Sequence, residues 1–134
     1  MADPRNAPHV DMLRSPLGRA RGLGSARAGA AHWWAQRLTA AALVPLTLWF
    51  IYAVIHLKGA GQREIMEWLS TPLPLILMLA LIVATFHHLQ LGLQVVIEDY
   101  VHDHAQKLVS LLAMKAACVL LALACIIAVL KLGL

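Results

Sequence analysis

Three long runs with almost no formal charge dominate the sequence after residue 37. The first, Leu38 to Leu57, has 20 residues, and the second, Trp68 to Ile97, has 30. The third, Leu108 to Leu134, is interrupted only by Lys115 and Lys131. A helix of about 20 apolar residues crosses the hydrocarbon of a bilayer, so each run is long enough to span it. Because lipid leaves no backbone polar group a water partner, the runs predict transmembrane α-helices.

The overall composition agrees with a membrane protein. The 134 residues are 60% hydrophobic and 13% charged, with a mean hydropathy of +0.72, which is not the balance of a water-soluble domain. We therefore predict an all-α membrane protein with three transmembrane helices at about residues 36–57, 73–97 and 107–132. The connections between them, roughly 58–71 and 98–107, are predicted to be short loops.

The charges are concentrated at the start of the chain. Residues 1–37 contain six Arg and two Asp, whereas the remaining 97 residues contain five charges of each sign. A basic segment that leads into an apolar span is typical of an orientation signal, so we predict a cytoplasmic N-terminus and a C-terminus on the opposite side. The same pattern argues against nucleic acid as a partner.

The first 31 residues form a separate region by composition. They are rich in Arg, Pro and Gly and show no sustained apolar periodicity, so we predict an arm at 1–31 that is disordered or docked on a partner, followed by an anchor domain at 32–134. Acidic residues and prolines in the arm are poorly suited to the amphipathic helix of a mitochondrial presequence. The bacterial inner membrane is therefore favoured over the mitochondrial one.

Two of the seven histidines, His87 and His88, lie near the middle of an apolar run. An imidazole at that depth is costly unless it pairs, faces a cavity or binds a metal. On a helical wheel Gly92 falls about 40° from His88, whereas His87 points about 100° away. Gly92 leaves room beside His88 for a flat macrocycle, although close helix packing explains a membrane glycine equally well.

The other histidines and both cysteines are expected to have no special chemistry. We expect solvation for the histidines that lie outside the spans or at an interface, namely His9, His32, His56, His102 and His104. Cys118 and Cys125 are about 10.5 Å apart along an ideal helix, which is too far for a disulfide, and we expect them to pack as small apolar side chains.

Polar residues mark the cytoplasmic ends of the first two spans. Asp99 and Tyr100 lie about 17 Å along the helix axis from His88. A carboxylate and a phenol there can carry protons and donate a hydrogen bond to a redox ligand, or can simply be solvated and anchor the helix. Arg37 opens the first span on the same side, where its guanidinium can bind a carboxylate or extend to lipid phosphate.

The segment from His88 to Tyr100, with the pattern H-x3-G-x6-D-Y at the end of the second span, resembles a family signature. It is similar to the hydrophobic membrane anchor of succinate dehydrogenase, the subunit usually called D. The segment Gln36-Arg37-Leu38-Thr39-Ala40 is also similar to the start of the first helix in that family. The resemblance covers roughly residues 33–132 and does not include the arm.

The resemblance implies roles for particular residues. His88 would be one axial ligand of a b-type haem whose other ligand is a histidine of the partner anchor, and Gly92 would pack beside the haem. Arg37 would lie near the haem propionates. Asp99 and Tyr100 would help to form the ubiquinone site. The adjacent His87 is a departure from the family pattern and leaves the choice of ligand open to challenge.

The resemblance also implies a function within a larger assembly. The chain would be a membrane anchor of succinate:ubiquinone oxidoreductase that contains no complete catalytic site of its own. Its partners would be a second membrane anchor of cytochrome b type, an iron–sulfur subunit and a flavoprotein subunit, together with membrane lipid, in a heteromeric helix bundle.

Two other interpretations stay open from the sequence. One is a fumarate reductase anchor, in which the same chemistry runs in reverse. The other is a non-redox transporter or assembly subunit in which His87, His88 and Asp99 relay protons across the membrane. That protein would copurify without haem.

Overall fold

The computed structural model describes residues 29–134, and this part of the chain is almost entirely helical. Its four helices are α1 (Gly29–His56), α2 (Gln62–Leu69), α3 (Pro72–Tyr100) and α4 (His104–Gly133). The three long helices contain 28, 29 and 30 residues and are apolar enough to cross a membrane. The predicted all-α membrane fold with three spans is therefore confirmed.

Each long helix extends beyond the span predicted from the sequence. α1 begins at Gly29 rather than near residue 36, and α3 continues to Tyr100 rather than ending near residue 97. The prediction counted only uncharged residues, whereas a helix continues through the polar interface, where charged side chains are solvated. The predicted arm consequently contributes its last residues to α1, and residues 1–28 lie outside the described part.

The connection predicted as a simple loop at 58–71 contains the helix α2, so that prediction was wrong. Ile65 and Trp68 are three residues apart and lie on one face of this short amphipathic helix. At its start the Glu64 carboxylate accepts a hydrogen bond from the backbone N–H of Gly61, at 3.0 Å. This bond satisfies a backbone donor just outside the first turn and helps α2 to begin there.

The helix α3 occupies the middle of the structure. It packs against both α1 and α4, whereas α1 and α4 have no Cα atoms within 8 Å of each other. The three described spans therefore lie in a row, and each side of that row leaves α3 uncovered by α1 and α4. Such a row is half of a bundle, which is consistent with the predicted heteromeric assembly.

Few side chains in the described part of the chain are buried. Of the hydrophobic side chains only Ala53, Leu69, Leu91 and Cys118 are buried, and Cys118, at 5% exposure, is packed as predicted. Cys125, by contrast, is exposed. Large apolar side chains cover most of the outer surface, so lipid or other transmembrane helices must solvate them.

A tight turn joins α3 to α4 at the end of the membrane domain. The Asp103 carboxylate caps α4 by accepting a hydrogen bond from the backbone N–H of Gln106, at 2.8 Å. The Lys107 ammonium donates to the backbone carbonyl of Glu98, also at 2.8 Å. Because a lysine at a helix C-terminus stabilises the exposed carbonyls, this turn holds the last turn of α3 in a defined place.

At the opposite end of the domain, α4 packs closely beneath α2. A Cβ atom added to Gly133 would lie 3.2 Å from the backbone oxygen of Leu69 and 3.0 Å from Leu75 Cδ1. Leu75 can adjust its rotamer, but the carbonyl belongs to the backbone. Glycine is therefore the residue that permits this close approach.

We expect the substitution Gly133→Ala to destabilise the folded domain by about 1 kcal/mol, the low end of the range for overpacking. The added methyl group would push α4 away from the carbonyl of Leu69. Thermal unfolding of the purified protein measures the effect. Gly61→Ala is the matched control, because a Cβ atom there meets nothing within 4 Å. Equal midpoints for the two variants would contradict the packing argument.

Candidate functional site

His88 lies in the contact between α1 and α3, where two side chains of α1 meet its ring. Thr39 Oγ1 is 3.0 Å from His88 Nδ1, and Gln36 Nε2 is 3.5 Å from His88 Nε2. Gln36 and Thr39 are three residues apart and therefore lie on the same face of α1. The imidazole is half-buried, with both ring nitrogens next to polar groups of the same chain.

Gln36 is incompletely bonded at this site. Its Oε1 atom is buried and has no hydrogen-bond partner within the described residues. A Cβ atom added to Gly92 would lie 3.6 Å from Gln36 Nε2, an ordinary van der Waals distance. The space that Gly92 leaves beside His88 is thus occupied by a flexible amide whose own hydrogen bonds are weak or missing.

His87 has different surroundings from His88, as the helical wheel predicts. It is exposed and lines two shallow grooves on one side of the helix row. One groove, of about 360 Å³, lies between α1 and α3, and the other, of about 160 Å³, lies between α3 and α4 and includes Cys118. His87 therefore faces outward from this chain, whereas His88 faces α1.

His32 does not lie where the sequence suggested. It was expected to be solvated outside the spans, but it belongs to α1, and its Nε2 atom is buried without a hydrogen-bond partner among the described residues. It lines a cavity of about 280 Å³ with Gln94 and Glu98. The prediction was wrong because α1 begins earlier than the uncharged run.

Asp99 and Tyr100 occupy the last turn of α3, at the same end of the domain as the start of α1. Both side chains are exposed, Tyr100 by 78%, and neither makes a hydrogen bond to another residue in 29–134. No residue of 29–134 therefore competes with an external ligand for their carboxylate and hydroxyl groups. The capped turn at Asp103 fixes the helix end that carries them.

Arg37 points away from His88 within this chain. Its neighbours Gln36 and Thr39 face α3, whereas the Arg37 guanidinium is exposed and lies 5.3 Å from the centroid of the Trp33 ring. This geometry is a cation–π contact near a membrane interface. The structure therefore does not direct Arg37 to His88, although both lie at the same level of the helix pair, whereas Asp99 and Tyr100 lie eleven and twelve residues further along α3.

Gln36 and Thr39 are the site residues for which the sequence predicted no role. Both belong to the segment that resembles the start of a family's first helix, but within that segment a role was predicted only for the charged Arg37. The available signal was their spacing, since polar residues three apart at the start of an apolar helix share a face. The sequence does not state which helix that face meets, so His88 could not be named as their partner.

Together these residues can offer a metal one nitrogen ligand and little more. Within residues 29–134 no group of three or more His, Cys, Asp or Glu side chains converges on a common point. A closed metal site made by this part of the chain alone is therefore not formed. An imidazole such as His88 can instead supply one axial ligand to a site shared with another chain.

Comparisons with known proteins assign the chain to a family. A family described as the succinate dehydrogenase/fumarate reductase transmembrane subunit matches residues 12–122. The succinate dehydrogenase hydrophobic membrane anchor subunit of Rickettsia bellii is 35% identical over 117 residues, which is 87% of this chain and 94% of that protein.

More distant relatives carry similar names. The hydrophobic membrane anchor subunit of Paracoccus denitrificans is 30% identical over 69% of this chain and 72% of its own length. The succinate dehydrogenase membrane anchor subunit of Reclinomonas americana is 31% identical over 63% of this chain and 73% of its own length. No solved structure matches the chain significantly. The match to the family extends over most of the sequence, with the first two spans and the greater part of the third, and the chain therefore belongs to the succinate dehydrogenase/fumarate reductase transmembrane subunit family.

Proposed function

We propose that this chain anchors a succinate:ubiquinone oxidoreductase in the membrane, supplies one axial ligand to a b-type haem and helps to form the site of ubiquinone reduction. The observation that carries the proposal is the placement of His88, a half-buried imidazole held between two membrane-spanning helices. The names of the relatives, which are membrane anchor subunits of succinate dehydrogenase, support the same assembly.

The residues around His88 fit a haem ligand. Only the Gln36 amide approaches Nε2, at 3.5 Å, a distance at which a hydrogen bond is weak. Because Gln36 Oε1 already lacks a partner and Gly92 has no side chain, rotating this one amide opens the space beside the imidazole at a small cost. A b-type haem, when bound, supplies one-electron storage at this depth.

Asp99 and Tyr100 are proposed to serve the quinone. Reduction of ubiquinone to ubiquinol consumes two electrons and two protons, so its site needs a hydrogen-bond donor and a route for protons. The Tyr100 hydroxyl donates to a quinone carbonyl, and the Asp99 carboxylate passes protons from the aqueous side. Their exposure at a helix end fits a substrate whose tail stays in lipid while its head group reaches the interface.

Arg37 is proposed to bind a haem propionate. Its guanidinium is exposed in the turn of α1 that also contacts His88, and a long, flexible side chain can exchange the contact with Trp33 for a carboxylate. The propionates of a haem ligated near mid-membrane extend toward an interface. Arg37 therefore acts as an electrostatic anchor and not as an iron ligand.

The proposed partners supply the groups that residues 29–134 do not provide. One histidine leaves the second axial position to another subunit, which we propose is a second membrane anchor packed along the row of helices. Succinate oxidation and electron transfer to the membrane belong to flavoprotein and iron–sulfur subunits that dock at the cytoplasmic end, beside Asp99 and Tyr100. We place the assembly in the bacterial inner membrane, with the arm at 1–31 and the anchor domain at 32–134 as functional units.

We expect His88→Ala to abolish the b-type absorbance band in the dithionite-reduced, purified complex, because the iron loses its ligand from this chain. The matched control is His87→Ala, which removes the neighbouring imidazole on the outward face and leaves the band in place. A normal band in the His88 variant would remove the ligand assignment. If the wild-type complex itself shows no b-type band, the proton-relay interpretation is favoured instead.

We expect Tyr100→Phe to retain the haem spectrum but to slow succinate-dependent ubiquinone reduction by about tenfold, the effect of losing one hydrogen bond worth about 1.4 kcal/mol. Quinone reduction and succinate oxidation by a soluble dye are measured on the same preparation. Dye reduction stays unchanged, because it does not use the quinone site. The control Tyr52→Phe alters a phenol that stacks on His56 at the other end of α1. A Tyr100 variant with full quinone activity would exclude the hydroxyl from the reaction.

The arginine-rich start of the chain supports a cytoplasmic location for the beginning of α1 and for the turn between α3 and α4. In a variant without native cysteines, we expect Ser70→Cys to react with an impermeant maleimide in intact cells. His102→Cys should react only after permeabilisation. The opposite labelling pattern would invert the topology and place Asp99 on the wrong side for the soluble subunits.

A further inference from the structure

We propose that Thr39 is a positioning residue that fixes the tautomer of His88 and thereby presents the Nε2 lone pair to iron. The inference rests on the proposed function, because it assigns a hydrogen-bonding partner to the ligand proposed there. It concerns only atoms of this chain, namely the Thr39 hydroxyl, the carbonyl oxygens behind it and the two nitrogens of His88.

The first step is to identify the atom that accepts a hydrogen bond from the single hydroxyl proton of Thr39. Thr39 Oγ1 lies 2.8 Å from the backbone oxygen of Ala35 and 3.1 Å from that of Gln36. A carbonyl oxygen only accepts hydrogen bonds, and the 2.8 Å contact with Ala35 is shorter than the 3.0 Å contact with His88, so we assign the hydroxyl proton to the backbone. Its proton is therefore committed to the backbone of α1, and its lone pairs face away from that bond.

The second step concerns Nδ1 of His88. Thr39 Oγ1 is 3.0 Å from this nitrogen, a good hydrogen-bond distance. Because the hydroxyl proton is already used, oxygen is the acceptor, and the proton in this bond belongs to Nδ1. A neutral imidazole has only one N–H, so Nε2 carries the lone pair.

The surroundings of Nε2 agree with this assignment. The nearest polar group is the amide nitrogen of Gln36 at 3.5 Å, which is a donor and therefore suits a lone pair better than a second N–H. Donor and acceptor roles are thus consistent on both sides of the ring. The weak contact on the Nε2 side and the strong contact on the Nδ1 side are the arrangement that a metal-ligating histidine needs.

A hydrogen bond from Nδ1–H to an acceptor does two things for a ligand. It fixes the plane of the ring relative to α1 and α3, and it increases the basicity of Nε2. The second effect stabilises the oxidised iron more than the reduced iron and so lowers the midpoint potential of the haem. A bond that served only to pack α1 against α3 would not have this electronic effect.

The test uses the intact complex with Thr39→Val, which removes the hydroxyl while keeping the branched shape, and with Thr39→Ser, which restores the hydroxyl. We expect the valine variant to retain haem about 10- to 100-fold less tightly, the usual cost of losing such a partner. Its haem midpoint potential should shift upward in an optical redox titration. The serine variant should return both quantities toward the wild-type values. Thr47→Val, at an exposed position two turns further along α1, is the matched control.

A second measurement does not depend on haem. In the full chain in detergent micelles, ring nitrogen chemical shifts of labelled histidine report which nitrogen carries the proton. With His88→Ala used to assign its signals, wild-type His88 should show the proton on Nδ1, and Thr39→Val should shift the population toward Nε2–H. This readout stays available if the valine complex fails to assemble.

The outcomes separate this inference from the proposed function. An unchanged midpoint potential in the valine variant, a serine variant that behaves like valine, or a wild-type ring protonated on Nε2 would each overturn the role of Thr39 while leaving His88 as a ligand. If His88→Ala loses the haem band but Thr39→Val keeps wild-type haem affinity and midpoint potential, His88 is likewise a ligand and Thr39 has no positioning role. A wild-type complex without b-type haem would instead overturn the proposed function.

Discussion

Inside a bilayer, a polar side chain finds its hydrogen bonds within the protein or not at all, and this constraint accounts for most of what is specific about the structure. The apolar surfaces of the spans could pack in many ways. The bond between Thr39 and His88 ties α1 to α3 at one register, because it joins two part-buried polar groups on apolar helices. By our proposal the same bond determines which nitrogen of the imidazole carries the proton, so the packing of two helices and the chemistry of one ring are set together.

The row of three helices explains why the chain works as a subunit. With α3 between α1 and α4, most large apolar side chains stay exposed and very few are buried, so the described residues form no enclosed core. The polar side chains Asp99 and Tyr100, on a capped helix end, and Arg37, over Trp33, are likewise exposed. A site that needs a flat cofactor and a lipid-borne substrate can be assembled on such a surface, because other subunits provide its remaining walls.

Much of this fold could be predicted from the sequence because lipid makes the length and apolar character of a segment decisive. The three spans followed from their uncharged runs, and the different directions of His87 and His88 followed from helical geometry. The helix α2 was missed because its amphipathic face extends over only two turns. The surroundings of His32 were predicted wrongly because α1 begins before the apolar run. The roles of Gln36 and Thr39 depend on which helices are in contact, and the periodicity of a single helix does not give that information.

The close fit of Gly133 beneath Leu69 has a consequence for biogenesis. α2 precedes α4 in the chain by about 40 residues, so it leaves the ribosome and reaches the membrane surface well before the helix that supports it. Until α4 has inserted, the backbone of Leu69 lacks its contact with Gly133, and the short helix rests on α3 and on α1, where Trp68 stacks on Trp49. The final packing of α2 therefore requires the insertion of α4, the last helix of the described chain.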